Sequence, residues 1–158
     1  MKDITKGTEK QIAWATEIRD TMIGSAQATI ADPKSELDYR KAKASLRNLA
    51  ALDDAALLID FSKGTLPGGS EYRGVDPRYF MTATERDRIE AGLREDRAQA
   101  EAEVYGTPTA EPADADVLPV KPRRRRRLTD EERAARDAKD ARVREIIHRL
   151  GENREAGR

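Results

Sequence analysis

Three times along this chain a threonine is followed, three residues later, by glutamine or glutamate, and each time a long proline-free stretch begins. The three are Thr8-Glu9-Lys10-Gln11, Thr82-Ala83-Thr84-Glu85 and Thr129-Asp130-Glu131-Glu132. In such a capping box the threonine hydroxyl accepts from the amide of the third residue, whose side chain reaches back to the threonine amide. Two of the donors that a helix start leaves orphaned are thereby satisfied. A chain punctuated this way is built for helices, and a mainly α fold is the expectation. The composition narrows it further. With 37% hydrophobic, 4% aromatic and 38% charged residues over 158 positions, there is too little apolar mass for a thick core along the whole length. A compact part joined to solvated or extended parts fits better.

The compact part is expected at residues 1–63, as a small bundle of three helices. From Thr8 the first helix is predicted to run to about Ile23, with Gly24 as its stop. On a helical wheel Trp14, Ile18, Met22, Ala15, Ile12 and Ile23 share one half, and Glu9, Lys10, Glu17 and Asp20 the other. Trp14, the sole tryptophan, reads as the central filler of the bundle rather than as a base-stacking platform. Asp32-Pro33 reads as a cap followed by proline at the first position of a second helix, which continues to about Ala50. Its apolar stripe is Tyr39, Ala42, Leu46 and Leu49, and its polar face Arg40, Lys41, Lys43 and Arg47. Asp53 is expected to cap a third helix carrying Leu57, Leu58, Ile59 and Phe61 and ending at Lys63-Gly64.

The opening of this region carries a resemblance. Gly7-Thr8-Glu9-Lys10-Gln11-Ile12-Ala13-Trp14-Ala15, followed by Glu17-Ile18-Arg19, resembles the start of a group of small bacterial, phage and plasmid proteins that begin Gly-Thr-x-Lys-Gln-x-x-Trp-Ala-x-x-Ile-Arg. Some of that group carry a second signature, Asp-Ala-x-Trp-Trp-Ile-Asp. Here the matching stretch is Asp54-Ala55-Ala56-Leu57-Leu58-Ile59-Asp60, with leucines in place of both tryptophans. The resemblance covers about the first 60 residues. It implies a bacterial or mobile-element setting and brings no activity with it.

Residues 64–81 form a glycine- and proline-punctuated loop rich in aromatics and arginines. It lacks the Gly-x4-Gly-Lys-Ser/Thr order of a phosphate loop. Tyr72, Arg73, Arg78 and Tyr79 are candidate secondary contacts, because aromatics beside arginines can stack bases and hold a single-stranded backbone. The competing reading folds Tyr79, Phe80 and Met81 back onto the bundle. Residues 82–105 read as an acidic helix with a thin apolar stripe of Ile89, Leu93, Ala100 and Val104, closed by Gly106 and Pro108. It is expected to dock weakly on the bundle or to pair with another chain. Residues 106–122, with Pro108, Pro112, Pro119 and Pro122, read as a disordered proline-rich linker. Residues 123–158 hold an arginine run and a basic C-terminal helix, predicted from Thr129 to Leu150, with Gly151 ending it and a frayed tail from Glu152. Val143, Ile146, Ile147 and Leu150 offer a patch for a weak dimer.

Charge carries the functional signal. The formal net charge is zero, from 30 basic and 30 acidic residues, but the balance is local. Residues 1–81 hold 12 of each; residues 82–120 hold 4 basic and 10 acidic; residues 121–158 hold 14 basic and 8 acidic. Lys121-Pro122-Arg123-Arg124-Arg125-Arg126-Arg127 packs six positive charges into seven residues. Arginine is permanently charged and matches phosphate geometry with a bidentate fork. Such a run contacts DNA or RNA backbones without reading sequence. The expected nucleic-acid contacts are Lys121, Arg123, Arg124, Arg125, Arg126 and Arg127, with Arg133 and Arg136 on the following helix. The other partner for such a run is an acidic protein surface. The adjoining acidic segment, from Glu95 to Asp116, is expected to mask the run in part until a partner competes.

Other function classes find little here. There is no cysteine and a single histidine, His148, so zinc chemistry lacks its ligands and no serine has a plausible histidine partner in a recognisable constellation. No cofactor is implied and a non-enzymatic role is expected. No apolar run approaches the roughly 18–20 residues of a membrane span, Met1 to Lys10 lack the apolar centre of a signal peptide, and a cytoplasmic setting is expected. The leading expectation is a nucleic-acid-binding accessory protein of a bacterial or phage mobile element. The alternative is a protein-binding modulator, such as a phage inhibitor of a host nucleic-acid-guided defence complex.

Overall fold

The computed structural model describes residues 1–63, 78–106 and 128–157, and its regular structure is helical throughout these residues. Five α-helices follow in order: α1 (Glu9–Ala31), α2 (Glu36–Ala51), α3 (Ala55–Ser62), α4 (Ala83–Tyr105) and α5 (Asp130–Ala156). The chain divides into two compact units, Met1–Leu93 and Arg94–Arg158, and α4 contributes its first turns to one and its last turns to the other. The expected proline-rich linker lies outside the described residues.

All three capping boxes form. Thr8 accepts from the Gln11 amide at 3.3 Å, and the Gln11 side chain takes the Thr8 amide at 2.9 Å. Thr82 pairs reciprocally with Glu85, and Thr129 with Glu132. The predicted ends fared less well. Helix α1 does not stop at Gly24 but continues to Ala31, because Ala26 is buried and Ile30 packs beside it, a gain that outweighs the ~1 kcal/mol cost of a mid-helix glycine. Asp32 therefore closes α1 rather than opening α2, donating its amide to the Ala28 carbonyl. The α2 cap is Ser35, whose hydroxyl accepts from the Asp38 amide at 3.1 Å.

In the first unit the helices approach closely because alanines lie between them. Ala15, Ala42, Ala44 and Ala55 are all buried. Around Ala15 and Ala55 gather Ile4, Leu49, Leu58, Ile59, Phe61 and Phe80, and the rings of Phe61 and Phe80 meet edge to face at 5.0 Å. A second cluster joins Ala26, Ala42, Ala44, Tyr79 and Met81, with Ile89 of α4 packed against it. The first turns of α4 thus dock on the bundle. Asn48 fixes that docking by donating to the Phe80 carbonyl at 3.0 Å and to the Glu85 carboxylate. Arg40 and Lys41, placed by the sequence on an exposed face, are buried instead. Arg40 pairs with Glu36 at 2.8 Å, and Lys41 reaches Glu90 of α4 at 3.3 Å. The docking of α4 covers what a lone α2 would have left in water.

The N-terminal arm is laid along this bundle. The amides of Thr5 and Lys6 both donate to the Asp53 carbonyl, and Ala55 returns its amide to Lys6. Asp53 is not the cap of α3; Asp54 takes that place, accepting from the Ala56 amide. The Asp53 carboxylate instead holds Lys2 at 3.0 Å and Lys6 at 3.1 Å. Arg19, buried in α1, donates to the Lys2 carbonyl at 2.8 Å. Gly7 makes the turn from arm to helix at φ +136°, where a Cβ would come within 3.1 Å of Ala55 Cβ. Only glycine reaches that conformation without strain.

In the second unit, α5 runs past Leu150 through a buried Gly151 to Ala156. The expected fray is replaced by a clamp. Arg154 donates to Asp96 at 2.8 Å and to Glu95 at 2.9 Å. Val143, Ile146 and Ile147 are buried by the chain itself and Leu150 half-buried. The patch offered for a weak dimer is therefore used within one chain.

Candidate functional site

Of the residues expected to contact nucleic acid, Lys121 and Arg123, Arg124, Arg125, Arg126 and Arg127 lie outside the described residues, as do Tyr72 and Arg73. Arg133 and Arg136 are described and exposed, on a stretch from Leu128 to Arg142 in which every residue is open to solvent. Arg133 meets Asp130 at 3.1 Å and Arg136 meets Asp140 at 3.9 Å. Exposed i,i+3 and i,i+4 pairs of this kind are worth roughly 0.3–0.5 kcal/mol, little enough for a phosphate to displace the carboxylate. Helix α5 as a whole is balanced, with seven basic and eight acidic residues. The positive excess of the C-terminal segment sits in the run itself.

Arg78 is exposed, but Tyr79 is buried and its hydroxyl donates to Asp38 at 3.3 Å. The Arg78 guanidinium lies 5.5 Å from the centre of the same ring. Tyr79 thus leaves no face for a base. With Phe80 and Met81 it supplies the aromatic and apolar mass the bundle lacked. Farther along the chain, Tyr105 is half exposed at the end of α4. It donates to the Asp140 carboxylate, a bond that raises its phenol above the ordinary tyrosine value by stabilising the protonated form. The masking expectation meets a competing claim on two of its acids. Glu95 and Asp96 are held by Arg154, whose guanidinium is kept more firmly cationic first by Glu95.

The residue that departs most from expectation is Trp14. It is 45% exposed, not a core filler. The wheel explains this after the fact: at 100° per residue Trp14 stands about 100° from Ala15 and about 120° from Ala26, at the margin of the buried arc. It forms the wall of a groove of about 430 Å³ between α1 and α3, lined also by Glu17, Ile18, Thr21, Met22, Phe61 and Ser62. That volume falls within the roughly 300–1,000 Å³ usual for small-ligand sites. Lys63, closing α3, places its ammonium 5.0 Å from the centre of the indole. Glu17 and Lys63 were legible as charged residues, but their convergence on one exposed ring depends on how α1 and α3 pack.

Among the described residues no three His, Cys, Asp or Glu side chains converge as a metal site, and no helix is long and apolar enough to cross a membrane. Comparison with protein-family models, with curated proteins and with solved structures found no match.

Proposed function

We propose that this chain is a non-enzymatic nucleic-acid-binding accessory protein of a bacterial or phage mobile element, acting in the cytoplasm and gripping phosphates through Lys121 and Arg123–Arg127. The observation that carries this reading is the concentration of charge: six cations in seven residues, beside a helix whose own charges nearly cancel. Nothing in a packed core calls for such a run, and phosphate is the partner that arginine forks fit best. The exposed start of α5 supports the same reading, since no part of the described chain covers Arg133 or Arg136. The small helical unit at residues 1–93 then serves as the body that carries the binding arm.

The test is fluorescence anisotropy with labelled duplex DNA, single-stranded DNA and RNA at several salt concentrations, beside a variant with Arg123–Arg127 changed to Ala. If all six cations meet duplex phosphates, the log–log salt slope is roughly −5, from about 0.9 per contact. Binding that is salt-sensitive and lost in the variant supports the reading. Absence of binding at low salt refutes it and turns attention to protein partners.

A further inference from the structure

We propose that the groove between α1 and α3 is a stacking site for one unpaired base of a single-stranded nucleic acid, with preference for bases that carry an exocyclic amino group. This rests on the nucleic-acid reading for its substrate class and on separate residues for its argument.

The polar atoms around the groove share one character. Thr21 donates its hydroxyl proton to the Glu17 carbonyl at 2.9 Å, and Ser62 donates its own to the Ile59 carbonyl at 2.7 Å. Both residues line the groove, and with its proton spent each hydroxyl has only lone pairs left to offer. Glu17 adds a carboxylate, an acceptor only, with no side-chain partner among the described residues. The groove therefore asks its occupant for donors. Its wall and floor are apolar: Trp14, Ile18, Met22 and Phe61. One cation lies over the ring that walls it, the ammonium of Lys63, engaged by the indole and by no carboxylate among the described residues.

A nucleotide answers all three demands. Its base is flat and stacks on an indole regardless of sequence. Cytosine, adenine and guanine carry an exocyclic amino group with two N–H donors, whereas unpaired thymine and uracil have no amino group and offer only the ring N3–H. Its flanking phosphate gives Lys63 the anion it lacks, so the ammonium moves from ring to phosphate as the base arrives. A duplex cannot enter, because its bases are already stacked and paired; the site takes an unstacked base. An apolar side chain alone would fill the floor but would leave the acceptors and the lysine unanswered.

Trp14 is the sole tryptophan, so emission of the full-length protein excited at the red edge, where tyrosine does not absorb, reports on this site alone. The experiment titrates the protein with hexamers of deoxycytidine and of deoxythymidine, which carry equal charge and engage the arginine run alike. The expected result is quenching by the cytosine hexamer and a Kd at least about fivefold tighter for it than for the thymine hexamer. By anisotropy, Trp14→Ala weakens the cytosine hexamer about tenfold, in line with one lost stacking contact. Glu17→Ala abolishes the base preference, and Lys63→Ala weakens both hexamers equally. The variants are checked for native helicity by circular dichroism; Glu17 and Lys63 are exposed, so they keep the test open if Trp14→Ala does not fold. In the Arg123–Arg127→Ala protein, quenching and base preference persist at reduced affinity. Equal affinities for the two hexamers, or unchanged emission at saturation, overturn the stacking site while leaving the arginine reading intact. Quenching with unaltered affinity in the arginine variant keeps the site and overturns the arginine reading.

Discussion

Replacing Arg154 with alanine removes the clamp that holds the end of α5 to Asp96 and Glu95, and its cost can be worked from exposure. The Asp96 side chain is 1% exposed and that of Arg154 44%. Breaking a fully buried ion pair costs about 3–5 kcal/mol, because one charge is stranded, while a fully exposed pair is worth about 0.2–1 kcal/mol. Here the charge that loses the arginine is the buried one, but Asp96 has a further interaction besides this pair, and water reaches the arginine and screens it. An intermediate loss of about 2 kcal/mol follows, nearly all through Asp96, since Glu95 is exposed and its bond to Arg154 is easily replaced by water. Urea unfolding followed by far-ultraviolet circular dichroism measures it. The Asp96→Ala, Arg154→Ala double variant should be less destabilised than the sum of the singles, by about 1–2 kcal/mol. Amides from residue 151 onward should lose hydrogen-exchange protection in the single variant. A loss under about 0.5 kcal/mol, the range of surface substitutions, with no coupling to Asp96, would refute the clamp.

Three further outcomes are expected. Gly24→Ala should stabilise the protein by about 0.5–1 kcal/mol in thermal unfolding, because Gly24 lies within α1 and a Cβ there meets nothing within 4 Å. Gly7→Ala should destabilise it, since the residue sits at φ +136° and the new Cβ crowds Ala55; an unchanged melting temperature would contradict the turn geometry. Asp53 is held below the usual carboxylate value of 3.8, first by the hydrogen bond from Lys2 and then by that from Lys6. A carboxyl depressed in the folded state contributes stability above its unfolded pKa and loses it as pH falls through the folded one. The stability gap between the native protein and Asp53→Asn should therefore be open at neutral pH and close below about 3.8; a gap independent of pH would remove the anchoring role.

The three capping-box starts were written locally and were legible, whereas the caps of α2 and α3 fell at Ser35 and Asp54 rather than at Asp32 and Asp53. Thr8, Thr82 and Thr129 each need only their own third neighbour, and all three boxes formed. Helix ends were not local. Gly24 and Gly151 look like stops, yet what lies beyond each of them, Ala26 and Ile30 in one case and Arg154 in the other, gains enough from tertiary contact to carry the helix through. The same distinction separates the charges. Lys41 reads as solvated because the acid that receives it, Glu90, comes from α4, some 50 residues later, whereas Arg40 pairs with Glu36 of its own helix. Trp14 failed in the opposite direction. Its size argued for the core, but alanines had already taken the close approach between helices, leaving the ring at the margin. The groove it walls depends on the crossing of α1 and α3, which no periodicity in either helix encodes.

The central claim is that the cations of Lys121 and Arg123–Arg127 meet phosphates. Its most direct test is the salt dependence of duplex DNA binding, measured side by side for the native chain and the Arg123–Arg127→Ala variant. The account predicts a log–log slope for the variant that is shallower than the native one by roughly 4.5, from about 0.9 for each of the five arginine–phosphate contacts removed. Equal slopes in the two proteins would contradict it.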